Sequence, residues 1–120
     1  MSVARQSLGR WGEERAGDFL QRQGFQIVER NLRTPLGEID LIARQGRTLV
    51  FVEVKTRRST AFGVPQDAVT PRKQRQIIRA AQWYLGQGRH SGLQPRFDVI
   101  AVLAATAEPQ IEHIANAFTL

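Results

Sequence analysis

Two apolar runs, Glu38–Ala43 and Thr48–Lys55, flank Arg44-Gln45-Gly46-Arg47, and no other feature of the chain restricts its fold as much. Both runs are rich in Ile, Leu, Val and Phe and bracket a glycine-containing turn, the pattern of a β-hairpin. Side chains alternate across a strand, and directly opposed residues share a face. One face then carries Ile39, Leu41, Ala43, Val50, Val52 and Val54, all apolar. The other carries Ile42, Leu49 and Phe51 near the turn, then Glu38, Asp40, Glu53 and Lys55 at the far end. A Gln45-Gly46 turn sets Asp40 opposite Phe51 and Glu38 opposite Glu53, whereas a four-residue loop sets Asp40 opposite Glu53. The faces are the same in both registers. A solvent-facing strand is polar along one whole side. This hairpin instead changes from apolar to charged along its length, which describes a buried sheet with a charged pocket at one end.

Buried strands rarely carry Asp, Glu and Lys unless the charges pair or bind metal. Cross-strand neighbours sit about 5 Å apart and diagonal ones about 7–8 Å, so carboxylates at these positions can converge on one hard cation. Magnesium favours oxygen ligands and keeps several waters. Lys55, on the face of Glu53, can orient or deprotonate a water or hold a phosphate. A metal-activated water attacking phosphorus is the chemistry this combination best supports. The bland alternative is a structural ion-pair cluster.

The rest of the chain supplies helices and further strands. Gly9 to Gln23 reads as a helix with Ala16, Phe19 and Leu20 inward and Gly24 as its stop. Phe25 to Glu29 reads as a short strand, and Asn31 to Leu36, with its proline, as a connection. Thr56 to Val69 reads as a loop carrying Arg57 and Arg58. Thr70-Pro71 is an N-cap followed by proline at the first helical position, opening a helix to Leu85. Arg96 to Leu103 and Ile111 to Phe118 read as strands. The order is helix, three strands, helix, two strands: an α/β fold with a mixed central sheet of about five strands flanked by helices, in one domain over residues 1–120.

Both helices direct charge at the hairpin. Glu13 falls at the edge of the inward stripe of the first helix, while Glu14 falls almost opposite. Lys73 extends the inward stripe Ile77, Ala81, Tyr84 of the second, placed to touch a substrate phosphate. Arg72, Arg75 and Arg79 form the solvated side. Asp98 reads as the partner of an arginine, and His113 as a half-buried strand residue.

Composition narrows the classes. With 17 Lys and Arg against 11 Asp and Glu, the formal charge is +6, which suits a polyanionic partner such as nucleic acid. The chain has no Cys, so disulfides, thiolate zinc sites and cysteine nucleophiles are excluded, and its two His lack ligand spacing. No apolar run approaches the roughly 18 residues of a membrane span, and no secretory signal is present, so a cytoplasmic protein without membrane partners is expected.

Gly12-Glu13, Asn31-Leu32-Arg33, Gly37-Glu38-Ile39-Asp40-Leu41-Ile42, Phe51-Val52-Glu53-Val54-Lys55-Thr56-Arg57, Lys73 and Arg96-Phe97-Asp98-Val99 together resemble the YraN family. These small bacterial proteins are similar to archaeal Holliday junction resolvases and group with restriction-endonuclease-like folds. The resemblance implies a three-layer core and a PD-(D/E)xK nuclease signature at Asp40, Glu53 and Lys55, with Ile39 where the pattern often has proline. It implies that Asp40 and Glu53 ligate Mg2+ or Mn2+, that Glu13 supports the metal, and that Lys55 serves the water or phosphate. Glu38 belongs to the Gly-Glu-x-Asp string and is a further metal candidate. Lys73, Arg57, Arg58 and Arg33 are the nucleic-acid-binding candidates, and resolvase-like enzymes often form homodimers.

The first expectation is a Mg2+- or Mn2+-dependent endonuclease hydrolysing DNA, branched or otherwise structured. The alternative is a non-catalytic nucleic-acid-binding or protein-docking module on the same fold. An RNA-directed enzyme stands third.

Overall fold

The computed structural model describes residues 2–58, 69–104 and 108–119, with side chains from residue 8 onward. Its elements are α1 (Ser2–Arg22), β1 (Gln26–Thr34), β2 (Gly37–Gln45), β3 (Thr48–Arg57), α2 (Pro71–Leu85), β4 (Gln94–Leu103) and β5 (Gln110–Phe118). The strands form one sheet in the order β1-β2-β3-β4-β5. All neighbours are antiparallel except β3 and β4, whose parallel pairing is reached through α2. The expected α/β fold is therefore present, with a helix on each face of a mixed sheet.

Each face has its own apolar core. Under α1 lie Ala16, Leu20, Leu41, Ala43, Val50, Val52, Ile100 and Val102. Under α2 lie Ile42, Leu49, Phe51, Ile77, Tyr84, Phe97 and Phe118. Phe51 stacks on Phe97 at 5.6 Å and meets the Tyr84 ring edge-on at 6.1 Å. Each fully buried Leu, Ile or Phe contributes about 1.5–3 kcal/mol, so these two clusters dominate the folding energy. α2 begins as its sequence predicts: Thr70 caps it by accepting the Lys73 N–H at 3.2 Å, with Pro71 following.

Several details depart from the sequence expectation. First, α1 starts at Ser2, seven residues before Gly9. Second, β1 does not stop at Glu29 but continues through Asn31 to Thr34, against β2. The strand absorbs an irregularity at Val28, and Asn31 takes φ +51°, a conformation asparagine tolerates better than most residues. Third, the hairpin loop is Gly46-Arg47, with Gln45 opposite Thr48 and Leu41 opposite Val52. Carried one residue further, this register sets Asp40 toward Glu53, which sequence had tied to a longer loop. Fourth, Ile39 joins the α2-side cluster although Leu41 and Ala43 join the α1-side one. Alternation breaks there, where β2 and β3 cease to pair beyond Leu41 and Val52 while β2 stays paired with β1. The expected loop is partly strand, since β3 runs to Arg57, and residues 59–68 of it lie outside the described residues.

Buried polar groups anchor β5. Asp98 is fully buried and accepts two bonds from Arg96, at 2.9 and 2.8 Å, and the Asn116 N–H at 2.9 Å. His113 Nε2 lies 2.6 Å from the same carboxylate. Asn116 has φ +54° and sits where the β4–β5 register shifts between Phe97 and Val99, so the carboxylate fills an irregularity in the ladder. Burial alone would raise the Asp98 pKa, but the bonds from His113, Arg96 and Asn116 together hold it below the usual carboxylate value. The expectation that Asp98 partners an arginine holds, and His113 proves to be part of the same network. No helix among the described residues is long and apolar enough to cross a membrane.

Candidate active site at the parting of two strands

β2 and β3 separate beyond Leu41 and Val52, and the gap is occupied by a side chain. The Asp40 carboxylate accepts the Val54 N–H at 2.8 Å, taking the place of a backbone acceptor. This fixes the carboxylate beside Glu53, which is buried at 5% exposure. Burial, together with the negative charge of Glu53, pushes the Asp40 pKa up to about 7. The Val54 N–H and the positive charge of Lys73 oppose the rise, and a hydrogen bond between the Asp40 and Glu53 carboxyl groups adds to it. Asp40 thus combines restricted solvation with a like-charged neighbour, a combination found at functional centres as well as in structural clusters.

The other expected site residues stand around this pair. Lys55 Nζ lies 3.4 Å from Glu53 Oε2 and is half-buried. Lys73, in the first turn of α2, is half-buried and acts on Asp40 through its charge. Glu13 approaches from α1, bonded to the Asn31 side chain. Its pKa is raised by burial and then by Asp40, with Glu38 adding and Arg10 opposing. Glu38 is exposed at the rim and pairs with Arg33 at 3.4 Å. Among the described residues, no three His, Asp or Glu side chains gather closely enough to hold a metal ion by themselves. The structure therefore brings Asp40, Glu53 and Lys55 together and sets Glu13, Glu38, Arg33 and Lys73 outside them.

A cleft of about 420 Å³ opens onto Asp40 between α1 and the β1–β2 hairpin, lined by Arg10, Glu13, Asn31, Arg33 and Glu38. Arg57 continues β3 beyond Lys55, and its buried Nε has no hydrogen-bond partner among the described residues. Arg58 is exposed and lines a smaller hollow beside Trp11. Arg10 and Asn31 escaped the sequence argument. Arg10 lies in the expected helix but ahead of the inward stripe that Glu13 borders, and Asn31 lies in the segment whose proline predicts a connection.

Two carboxylates, one buried and one with a raised pKa, form a donor set that suits a hard divalent cation. Such an ion relieves their repulsion, and magnesium is commonly held by one or two carboxylates with water and substrate oxygens completing its shell.

The chain is similar over residues 12–102 to the model of the uncharacterised protein family UPF0102. A UPF0102 protein of Syntrophotalea carbinolica is 58% identical over 98% of this chain and 96% of its own. One from Geotalea daltonii is 59% identical over 95% and 91%, and one from Geobacter metallireducens 52% identical over 100% and 98%. With a family match across most of the sequence and relatives above half identity over nearly the full length, the chain belongs to UPF0102, the YraN family.

Proposed function

We propose that this chain is a divalent-metal-dependent phosphodiesterase that hydrolyses DNA, with branched or otherwise structured DNA as its substrate class. The observation that carries this reading is the Asp40 carboxylate, locked by the Val54 N–H at 2.8 Å beside buried Glu53. Asp40 and Glu53 would hold Mg2+ or Mn2+. When bound, such an ion supplies Lewis-acid activation of water and neutralises developing phosphate charge.

The chain's own residues supply the rest. Asp40 must be ionised to act as a ligand, and the Val54 N–H and Lys73 favour that form. Lys55, 3.4 Å from Glu53, is placed to orient the attacking water or to contact a phosphate oxygen. Glu13 lines the cleft on Asp40 from α1 and adds negative charge that favours a cation there. Lys73, Arg57, Arg58 and Arg33 provide positive charge for the phosphate backbone, a contribution that is salt-dependent.

The test is cleavage of linear, flapped and four-way DNA with Mn2+ or with EDTA. Wild type should cut only with the metal, while Asp40→Asn, Glu53→Gln and Lys55→Ala should lose at least 100-fold in rate, on the order of 3 kcal/mol of transition-state stabilisation. Salt-sensitive DNA binding that needs no divalent ion, with no cutting in any condition, would instead favour the non-catalytic module.

A further inference from the structure

Gly12 is buried on α1 immediately before Glu13. A Cβ added there would overlap Thr56 Oγ1 and would lie 2.9 Å from both Thr56 Cβ and Cγ2. Rotation of the threonine moves Oγ1 and Cγ2 but leaves its Cβ, which is attached to the β3 backbone. Carbon atoms in contact settle at about 3.5–4.0 Å, so an alanine at this position forces α1 back from β3 by about 0.5–1 Å. Gly17 is different. The nearest obstacle to a Cβ there, at 2.6 Å, is the guanidinium end of Arg30, which can swing aside.

The displacement at Gly12 falls on functional groups at both surfaces. Glu13 is the next residue on α1 and lines the same cleft as Asp40. Lys55 is the neighbour of Thr56 on β3 and pairs with Glu53. We propose that the Gly12–Thr56 contact is the spacer that sets Glu13 against Asp40, so that both are positioning residues for the carboxylate centre. The inference rests on the reading of Asp40 and Glu53 as the reaction centre. Shifts of about 1 Å in catalytic groups can cost as much as 100-fold in rate, so a one-methyl change is a sensitive probe.

The experiment compares Gly12→Ala, Thr56→Gly, the double variant and Gly17→Ala. Two readouts are taken: Mn2+-dependent DNA cleavage, and the Val54 amide resonance, which reports the bond to the Asp40 carboxylate without requiring turnover. Gly12→Ala should lower kcat at least 10-fold with little change in KM, and should move the Val54 resonance. The double variant, which removes the opposing side chain, should recover kcat to within about threefold of Thr56→Gly and return the resonance. Gly17→Ala should match wild type. A Gly12→Ala protein that cuts like wild type with an unmoved Val54 resonance overturns the proposal, as does a folded double variant that restores neither readout. If Gly12→Ala does not fold, the double variant decides. If wild type itself cuts no DNA, the nuclease reading fails separately, and loss and return of the Val54 resonance still decide whether the spacer exists.

Discussion

The Asp40 carboxylate replaces a backbone acceptor for Val54, 2.8 Å from its N–H, at the point where β2 and β3 cease to pair. A carboxylate held by the main chain has its orientation set by the backbone as well as by its side-chain neighbours. The same bond satisfies a strand N–H that would otherwise lack a partner where the strands part. One interaction thus ends a ladder and aims a titratable group at Glu53.

That position should cost stability. A carboxyl whose folded pKa lies above its unfolded value, about 3.9, favours the fold below that value and loses the contribution as pH rises through the folded value, about 7 for Asp40. Asp40→Asn removes the ionisation and keeps an acceptor for Val54. In EDTA at pH 8 it should therefore be more stable than wild type by roughly 1–4 kcal/mol, and below pH 4 the two should converge. Urea titration at both pH values measures this. A less stable Asn variant at pH 8 contradicts the account.

Lys73 lowers the Asp40 pKa through its charge. Replacing it with Met should raise that pKa, so the acid limb of divalent binding moves to higher pH. Calorimetric titration with Mn2+ between pH 6 and 8.5 checks the direction. An unchanged pH profile would remove Lys73 from the electrostatics of the site.

Asp98 should matter for folding rather than for chemistry. Its Ala variant leaves Arg96 and His113 without their buried partner, and loss of one member of such a pair costs about 3–5 kcal/mol. Its folded pKa is lowered, so its stabilisation is present above the unfolded value and is lost as pH falls through the folded one. Unfolding monitored from pH 7 to 2.5 should show wild type approaching the Asp98→Asn variant at the acid end. Parallel curves across that range would contradict the assignment.

Much of this arrangement was legible in the chain. The β2–β3 hairpin declared itself through alternation, and α2 through Thr70-Pro71, because both signals are local. The charged end of the hairpin was legible because Glu38, Asp40, Glu53 and Lys55 interrupt apolar runs that otherwise predict burial. What stayed hidden depends on pairing at long range. Thr34 lies in a strand because β2 offers it Gly37 as a partner, which confines the turn to Pro35-Leu36. Ile39 changes sides where the β2–β3 ladder has ended at Leu41, and Asp98 meets His113 only because β4 and β5 are neighbours. Gly12 carries no packing signal of its own, and its role follows only from Thr56 lying against it.

The most direct test of the central claim is a Mn2+ titration of wild type, Asp40→Asn and Glu53→Gln at pH 8, followed by calorimetry and by the manganese EPR signal. One divalent ion bound by wild type, with at least 10-fold weaker binding in each variant, is the expected result. Equal binding in all three proteins, or none in wild type with DNA present or absent, contradicts it.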